Sequence, residues 1–198
     1  MASSGEAPPQ PGPDAATVLR YDRTAAAILD AAAHVLADQG SRSNMADVAA
    51  AAGVSRATLY RYYPDREALL HALAAQALAD AAARLADAGL DRAPVEEAIE
   101  RIIRALVAVG DRYAVIVREQ ITIDPAEAER LLGEPMRAVF ARGIESGLFR
   151  QDIPVDLLLE LFGGALMAAV KLTQRRQVGL EEASAATASV FLDGARAR

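Results

Sequence analysis

The sequence contains no cysteine, a single lysine (Lys171) among 198 residues, and few aromatic residues, which make up 5% of the chain. The absence of cysteine excludes a disulfide framework, a thiol nucleophile and a zinc–thiolate site. β-branched residues are also sparse, whereas alanine, a strong helix former of little bulk, is abundant. This composition predicts an all-α protein.

The chain also lacks the pattern of a secretory signal and of a membrane span. Its first residues are rich in Pro, Gly and Ser and contain no apolar central region. The most apolar stretch, residues 157–172, contains Glu160 and Lys171 and is too short and too charged to cross a bilayer. We interpret this stretch as a buried helix and expect a cytoplasmic protein.

Apolar spacing, capping residues and breaks at Gly and Pro divide the chain into about nine helices. The predicted helices cover about residues 22–39, 45–52, 56–62, 66–87, 94–109, 111–121, 124–146, 154–177 and 180–195. Pro135 lies inside the seventh of these patterns and predicts a kink there, because proline cannot donate a helical hydrogen bond.

The second and third predicted helices form the pattern of a helix-turn-helix, two short helices joined by a tight turn that contains Gly53. Asn44 is suited to cap the first of them, and Asp47, three residues on, completes a pattern much like a capping box. Ser55 is suited to cap the second.

Residues 43–66 resemble the signature of the TetR (tetracycline-repressor-like) family of helix-turn-helix transcriptional regulators. The matching positions are Val48-Ala49, Ala52-Gly53-Val54-Ser55, Thr58-Leu59-Tyr60, Tyr62-Tyr63 and Arg66-Glu67. Ser43-Asn44-Met45 stands where the family usually has Thr-Thr-Val, and Arg66 stands where lysine is usual. The resemblance implies a bacterial homodimer that binds double-stranded operator DNA with an inverted repeat and is released by a small-molecule effector.

The second helix of such a motif lies in the major groove with its N-terminal part against the bases. Leu59 and Tyr63 are four residues apart and share the inward face, which turns the residues around them outward. These outward residues are Arg56, Ala57, Tyr60 and Arg61. Either Arg56 or Arg61 is suited to a guanine, and Ala57 admits a base edge or a thymine methyl. The residues expected to contact phosphates are Ser43, Asn44, Thr58, Tyr60, Tyr62 and Arg66.

The overall charge of −6 is unusual for a DNA-binding protein. Residues 15–66, however, carry six arginines against five aspartates, and three of the arginines lie close together. We therefore divide the chain into a disordered tail (1–16), a DNA-binding domain (17–66) and a helical effector-binding and dimerisation domain (67–198).

The eighth predicted helix is apolar on two faces, which requires burial on two sides. The resemblance implies that this helix and the ninth pair with their symmetry mates as a four-helix dimer interface. The candidate interface residues are Leu157, Leu161, Gly164, Ala168, Ala183, Thr187, Val190 and Phe191.

The resemblance also implies a small-molecule site between the fourth and eighth helices. The inward candidates there are Leu106, Tyr113, Val117, Met136, Phe140, Phe162 and Met167. Their apolar character predicts a mainly apolar ligand, to which the hydroxyl of Tyr113 would offer a hydrogen bond.

We find no catalytic signature and expect neither a metal nor a cofactor. His34 and His71 lie on different helices, and the sequence has no phosphate-binding loop and no serine elbow. A repressor released by its effector is therefore the main hypothesis. The alternatives are a regulator that is activated by its ligand or needs a corepressor, a DNA organiser without a ligand, and a ligand carrier or enzyme that does not bind DNA.

Overall fold

A computed structural model describes residues 15–39, 42–110, 112, 115–116, 119 and 121–197. These residues form helices and no strand, which confirms the all-α prediction. The helices are α1 (Ala15–Gln39), α2 (Met45–Ala51), α3 (Arg56–Tyr62), α4 (Arg66–Asp87), α5 (Val95–Val107), α6 (Pro125–Ala128), α7 (Glu134–Glu145), α8 (Val155–Gln174) and α9 (Leu180–Ala195).

Most of these helices begin and end within three residues of the predicted limits. α1 is the exception, because it begins at Ala15, about seven residues before its predicted start. The last two residues of the expected disordered tail are therefore helical. Residues 1–14 of that tail and most of the predicted helix 111–121 lie outside the described residues.

The predicted helix 124–146 is interrupted, close to the expected position. A π-helical turn, Glu129–Gly133, separates α6 from α7 and ends two residues before Pro135. In a regular α-helix the ring of Pro135 would clash with the carbonyl group of Leu131. The π turn, with hydrogen bonds from residue i to i+5, replaces regular α-helical geometry at this carbonyl group.

Two large hydrophobic cores and one small cluster, formed by Ala74, Ala77 and Ile116, lie among the described residues. The N-terminal core joins α1 to α4 and includes Ile28, Leu36, Val48, Leu59, Leu69 and Leu73. The C-terminal core joins α5, α7, α8 and α9 and includes Ile99, Ile102, Phe140, Phe149, Phe162 and Leu192. α4 belongs to both, because Leu69 and Leu73 lie in the first core and Leu85 lies in the second. A movement of α4 would therefore change the packing of both cores.

No helix among the described residues is both long enough and apolar enough to cross a membrane. The apolar stretch 157–172 lies within α8, whose residues Leu158, Phe162 and Leu166 are buried in the C-terminal core.

Candidate DNA interface and cavities

α2 begins with the capping box that the sequence predicts. The Oδ1 atom of Asn44 accepts hydrogen bonds from the backbone N atoms of Ala46 (2.8 Å) and Asp47 (3.2 Å). The carboxylate of Asp47 accepts one in return from the backbone N atom of Asn44, at 2.9 Å. These bonds satisfy amide groups that a helix start leaves without partners. The Oδ1 atom of Asn44, a predicted phosphate contact, is thus occupied within its own helix.

The turn between α2 and α3 depends on Gly53 and Ser55. Gly53 has a φ of +66°, a left-handed conformation that only glycine adopts without strain. The Oγ atom of Ser55 accepts a hydrogen bond from the backbone N atom of Thr58 at 3.0 Å and lies 2.8 Å from the Oγ1 atom of Thr58. The predicted cap of α3 is confirmed, and the Thr58 hydroxyl is engaged in it.

α3 has one buried face and one exposed face. Leu59 is fully buried and Tyr63 is buried, so the predicted inward pair lies in the N-terminal core. The exposed residues are Arg56, Ala57, Tyr60 and Arg61. Arg61 also lies over the ring of the half-buried Tyr62, with its guanidinium carbon 5.3 Å from the ring centre. This contact gives the Arg61 guanidinium a cation–π partner beside the exposed face.

Two of the predicted phosphate contacts, Ser43 and Arg66, interact with each other within the protein. Ser43 is buried. The Nη1 atom of Arg66 donates a hydrogen bond to the carbonyl oxygen of Ser43 at 3.2 Å, and its Nη2 atom donates to the Oε2 atom of Glu119 at 2.7 Å. The guanidinium of Arg66 thus connects the starts of α2 and α4 to a residue beyond α5. Sequence reasoning missed this role because Glu119 is 53 residues away along the chain.

A second arginine connects the same regions. The guanidinium of Arg112 forms ion pairs with Asp30 of α1 and Asp80 of α4. Val115, three residues on, is fully buried in the N-terminal core. Arg112, Val115 and Glu119 thus contact the N-terminal helices. A polar cavity of about 450 Å³ lies beside these ion pairs, between α1, α4 and the end of α8.

The residues predicted to line an effector pocket belong to the C-terminal core or pack against it where they are described. Phe140 and Phe162 are fully buried with ring centres 5.3 Å apart, and Phe191 packs against both of them, at 5.8 Å and 4.9 Å. Three others, Leu106, Met136 and Met167, are half-buried against the same core. Tyr113 and Val117 lie outside the described residues.

An apolar cavity of about 720 Å³ lies elsewhere, between α4, the turn that follows it, the π turn and α7. None of the predicted pocket residues lines it. The residue that could have indicated this cavity from the sequence is Pro135, which lies in its wall. The sequence analysis interpreted Pro135 only as the cause of a kink. Arg137 holds the adjoining backbone, because its guanidinium pairs with Asp156 and Glu129. The pKa of Arg137 is raised by its hydrogen bonds to Asp156 and then to Glu129.

α8 and α9 present an exposed apolar surface. Leu157 is 49% exposed, Leu161 54% and Val190 76%, and Gly164 and Ala168 are also exposed. Leu172, which the sequence analysis did not select, is 40% exposed on the same helix.

Three predicted interface residues are not part of that exposed surface. Ala183 is buried in the core of its own protomer, Phe191 packs into the aromatic cluster, and Thr187 is half-buried. The face of α9 that carries Ala183 and Phe191 packs on α5 and α8 within the protomer, and their place in a dimer interface stays a prediction.

The described residues contain no group of three or more His, Asp or Glu side chains that could hold a metal ion.

A capped helix pair, a glycine turn and an exposed arginine-rich face on the second helix define a helix-turn-helix DNA-binding protein. Residues 28–73 match the family described as bacterial regulatory proteins, tetR family. The helix-turn-helix region of the chain is thus of the TetR type.

Its relatives include named repressors and regulators. The chain is 42% identical over 107 residues to the HTH-type transcriptional repressor LfrR of Mycolicibacterium smegmatis, and this match covers 52% of the chain and 55% of the relative. The match thus spans about half the length of that relative. A longer match, 28% identical over 159 residues, covers 78% of the chain and 85% of the HTH-type transcriptional regulator NfxB of Pseudomonas aeruginosa.

Solved structures of the same fold cover nearly the whole chain. The crystal structure of the TetR-like regulator LfrR from Mycobacterium smegmatis in complex with proflavine aligns with a TM-score of 0.73 and 28% identity, over 89% of this chain and 99% of that chain.

Proposed function

We propose that the protein is a transcriptional repressor that binds an inverted-repeat operator as a homodimer and is released by a small-molecule effector. The observation that carries the proposal is the exposed face of α3. Arg56, Ala57, Tyr60 and Arg61 point outward from a short helix whose opposite face is anchored in the core. Either arginine can form two hydrogen bonds to a guanine, and the small Ala57 lets the helix approach the bases.

The exposed apolar surface of α8 and α9 supports the homodimer. The large apolar side chains of Leu157, Leu161 and Val190 are about half exposed or more. A second copy would bury them by the hydrophobic effect. A twofold dimer would place two α3 helices about one DNA turn apart, which is the geometry that an inverted repeat requires.

The apolar cavity supports a small-molecule effector. Its volume of about 720 Å³ lies within the usual range for ligand sites. α4 forms one wall of it and extends from there into the N-terminal core. A ligand that binds more tightly to a shifted position of α4 would favour the released state. The presence of proflavine in the LfrR crystal structure further supports a small-molecule ligand in a protein of this fold.

The direct test is DNA binding of the purified protein, measured by fluorescence anisotropy with fragments that flank its own gene. We expect tight binding to one site, with two protomers for each inverted repeat. Arg61→Ala should lose about 1 to 3 kcal/mol of discrimination at one base pair. Tyr60→Phe should weaken binding to all sequences alike if its hydroxyl contacts a phosphate.

Arg92→Ala is the matched control, because Arg92 is a highly exposed arginine remote from α3. It should leave DNA affinity unchanged. Equal affinity for every fragment would favour an organiser without an operator. No binding at low salt, where phosphate contacts are strongest, would reject the repressor function.

A further inference from the structure

The walls of the apolar cavity are made of small and aliphatic side chains. α4 contributes Ala82, Leu85 and Ala86, and the π turn and α7 contribute Leu131, Ala138 and Val139. The alanines leave the space between the two helices unfilled. An apolar molecule bound between the two helices would remove apolar surface from water, and this burial is the main source of affinity in such sites.

One end of this cavity is positively charged. Arg130 belongs to the π turn, lines the cavity and is exposed, and no ion pair or hydrogen bond of its guanidinium occurs among the described residues. Asp91 is the acidic residue of the lining, and its carboxylate lies 3.6 Å from Arg92. The guanidinium of Arg130 is therefore open to an anionic group at the mouth of the cavity.

A second arginine, Arg142, lines the cavity from further along α7, beside the turn that follows α4. The guanidinium of Arg142 donates hydrogen bonds to the carbonyl oxygens of Leu90 and Asp91, both at 2.7 Å, and of Ala93 at 3.3 Å. Carbonyl groups satisfy its hydrogen bonds but leave its charge uncompensated. Two arginines therefore face the cavity against one aspartate.

We propose that this cavity binds an amphipathic organic anion, with an apolar body between α4 and α7 and a carboxylate, sulfonate or phosphate group beside Arg130. This inference rests on the proposed function, since it assigns the chemical class of the effector. The location of Arg130 in a π turn fits this role, because π turns within helices are often found at functional sites. A guanidinium at that position forms charge-assisted hydrogen bonds to an anionic group.

The test compares two probes with the same apolar chain and opposite charge, decanoate and decylamine, by isothermal titration calorimetry on the full-length protein. Decanoate should bind at least about tenfold more tightly than decylamine, which corresponds to about 1.4 kcal/mol. Arg130→Glu should reduce the affinity for decanoate about tenfold and narrow or reverse the preference. Arg84→Glu, which changes an exposed arginine of α4 outside the lining, should change it less than about twofold.

A second variant separates the cavity from other apolar surfaces. Ala138→Trp fills the cavity from α7 without changing its charge and should abolish binding of both probes. Equal affinity for the two probes, or unchanged binding in Arg130→Glu or Ala138→Trp, would overturn the proposal.

Anisotropy with operator DNA is measured on the same preparations. Loss of the decanoate preference with intact DNA binding would reject the ligand class alone. Decanoate binding without any DNA binding would reject the repressor function and leave the ligand class standing.

Discussion

The Nη2 atom of Arg66 lies 2.7 Å from the Oε2 atom of Glu119, and the Nη1 atom of the same guanidinium donates to the carbonyl oxygen of Ser43. The side chain of Arg66 is 33% exposed and that of Glu119 12%. Arg66 lies at the start of α4, where the family resemblance implies a phosphate contact. We propose instead that it positions the helix-turn-helix relative to residues 112–119.

Substitution of Arg66 distinguishes these two roles. Arg66→Ala should lower the free energy of unfolding by about 1 kcal/mol, because two hydrogen bonds of a partly exposed charge are lost. The dependence of log affinity for DNA on log salt concentration should keep its slope, whereas loss of a phosphate contact would reduce the slope by about 0.9. Denaturant titration and anisotropy across a salt series measure the two effects. Arg84→Ala, at an exposed arginine on the same helix, is the control.

Removal of the Asn44 cap should destabilise α2. Asn44→Ala loses both side-chain bonds to the first turn and should reduce the free energy of unfolding by about 1 kcal/mol. Asn44→Ser keeps an acceptor at the cap and should reduce the free energy of unfolding by only about a few tenths of a kcal/mol. Urea unfolding followed by circular dichroism compares the two. Equal stability of the Ala and Ser variants would contradict the assigned cap.

Gly143 is required by close packing against Phe149. A Cβ atom at position 143 would lie 2.6 Å from the Cε2 atom and 3.1 Å from the Cγ atom of the Phe149 ring. Both residues are buried, so Gly143→Ala should destabilise the protein by about 1 to 3 kcal/mol through overpacking.

Gly163 on α8 is the matched control for that substitution, since nothing lies within 4 Å of a Cβ atom placed there. Gly163→Ala should be neutral or should stabilise the protein by up to about 1 kcal/mol, because alanine favours a helix. Thermal unfolding of both variants tests the pair. A Gly143→Ala variant as stable as the Gly163→Ala variant would show that the ring of Phe149 moves aside freely.

The proposed homodimer predicts that charged substitutions on two faces of α9 affect the mass of the protein in solution differently. Val190→Asp places a charge at the centre of the exposed apolar surface and should convert the dimer to a folded monomer, since a buried unpaired carboxylate is costly. Ala185→Asp, at an exposed position on the side of α9 that faces the groove with α5, should leave the dimer intact. Light scattering coupled to gel filtration measures the mass. A dimeric Val190→Asp variant would move the interface elsewhere.

The features that the sequence predicted correctly are local. The capping box of Asn44, the turn at Gly53 and the cap at Ser55 depend on atoms a few residues apart, so the pattern of residue types is sufficient to predict them. The inward face of α3 follows in the same way from the spacing of Leu59 and Tyr63. The helix-turn-helix and most helix limits were therefore predictable without a structure.

Other properties were decided by tertiary structure alone. An apolar stripe shows that a helix face is buried but not what covers it. The aromatic cluster of Phe140, Phe162 and Phe191 became visible only in the packed structure. The pairing of Arg66 with Glu119 joins residues 53 positions apart, which no local pattern specifies. The apolar cavity likewise forms where α4, the π turn and α7 meet, and its shape depends on how these elements pack rather than on residue order.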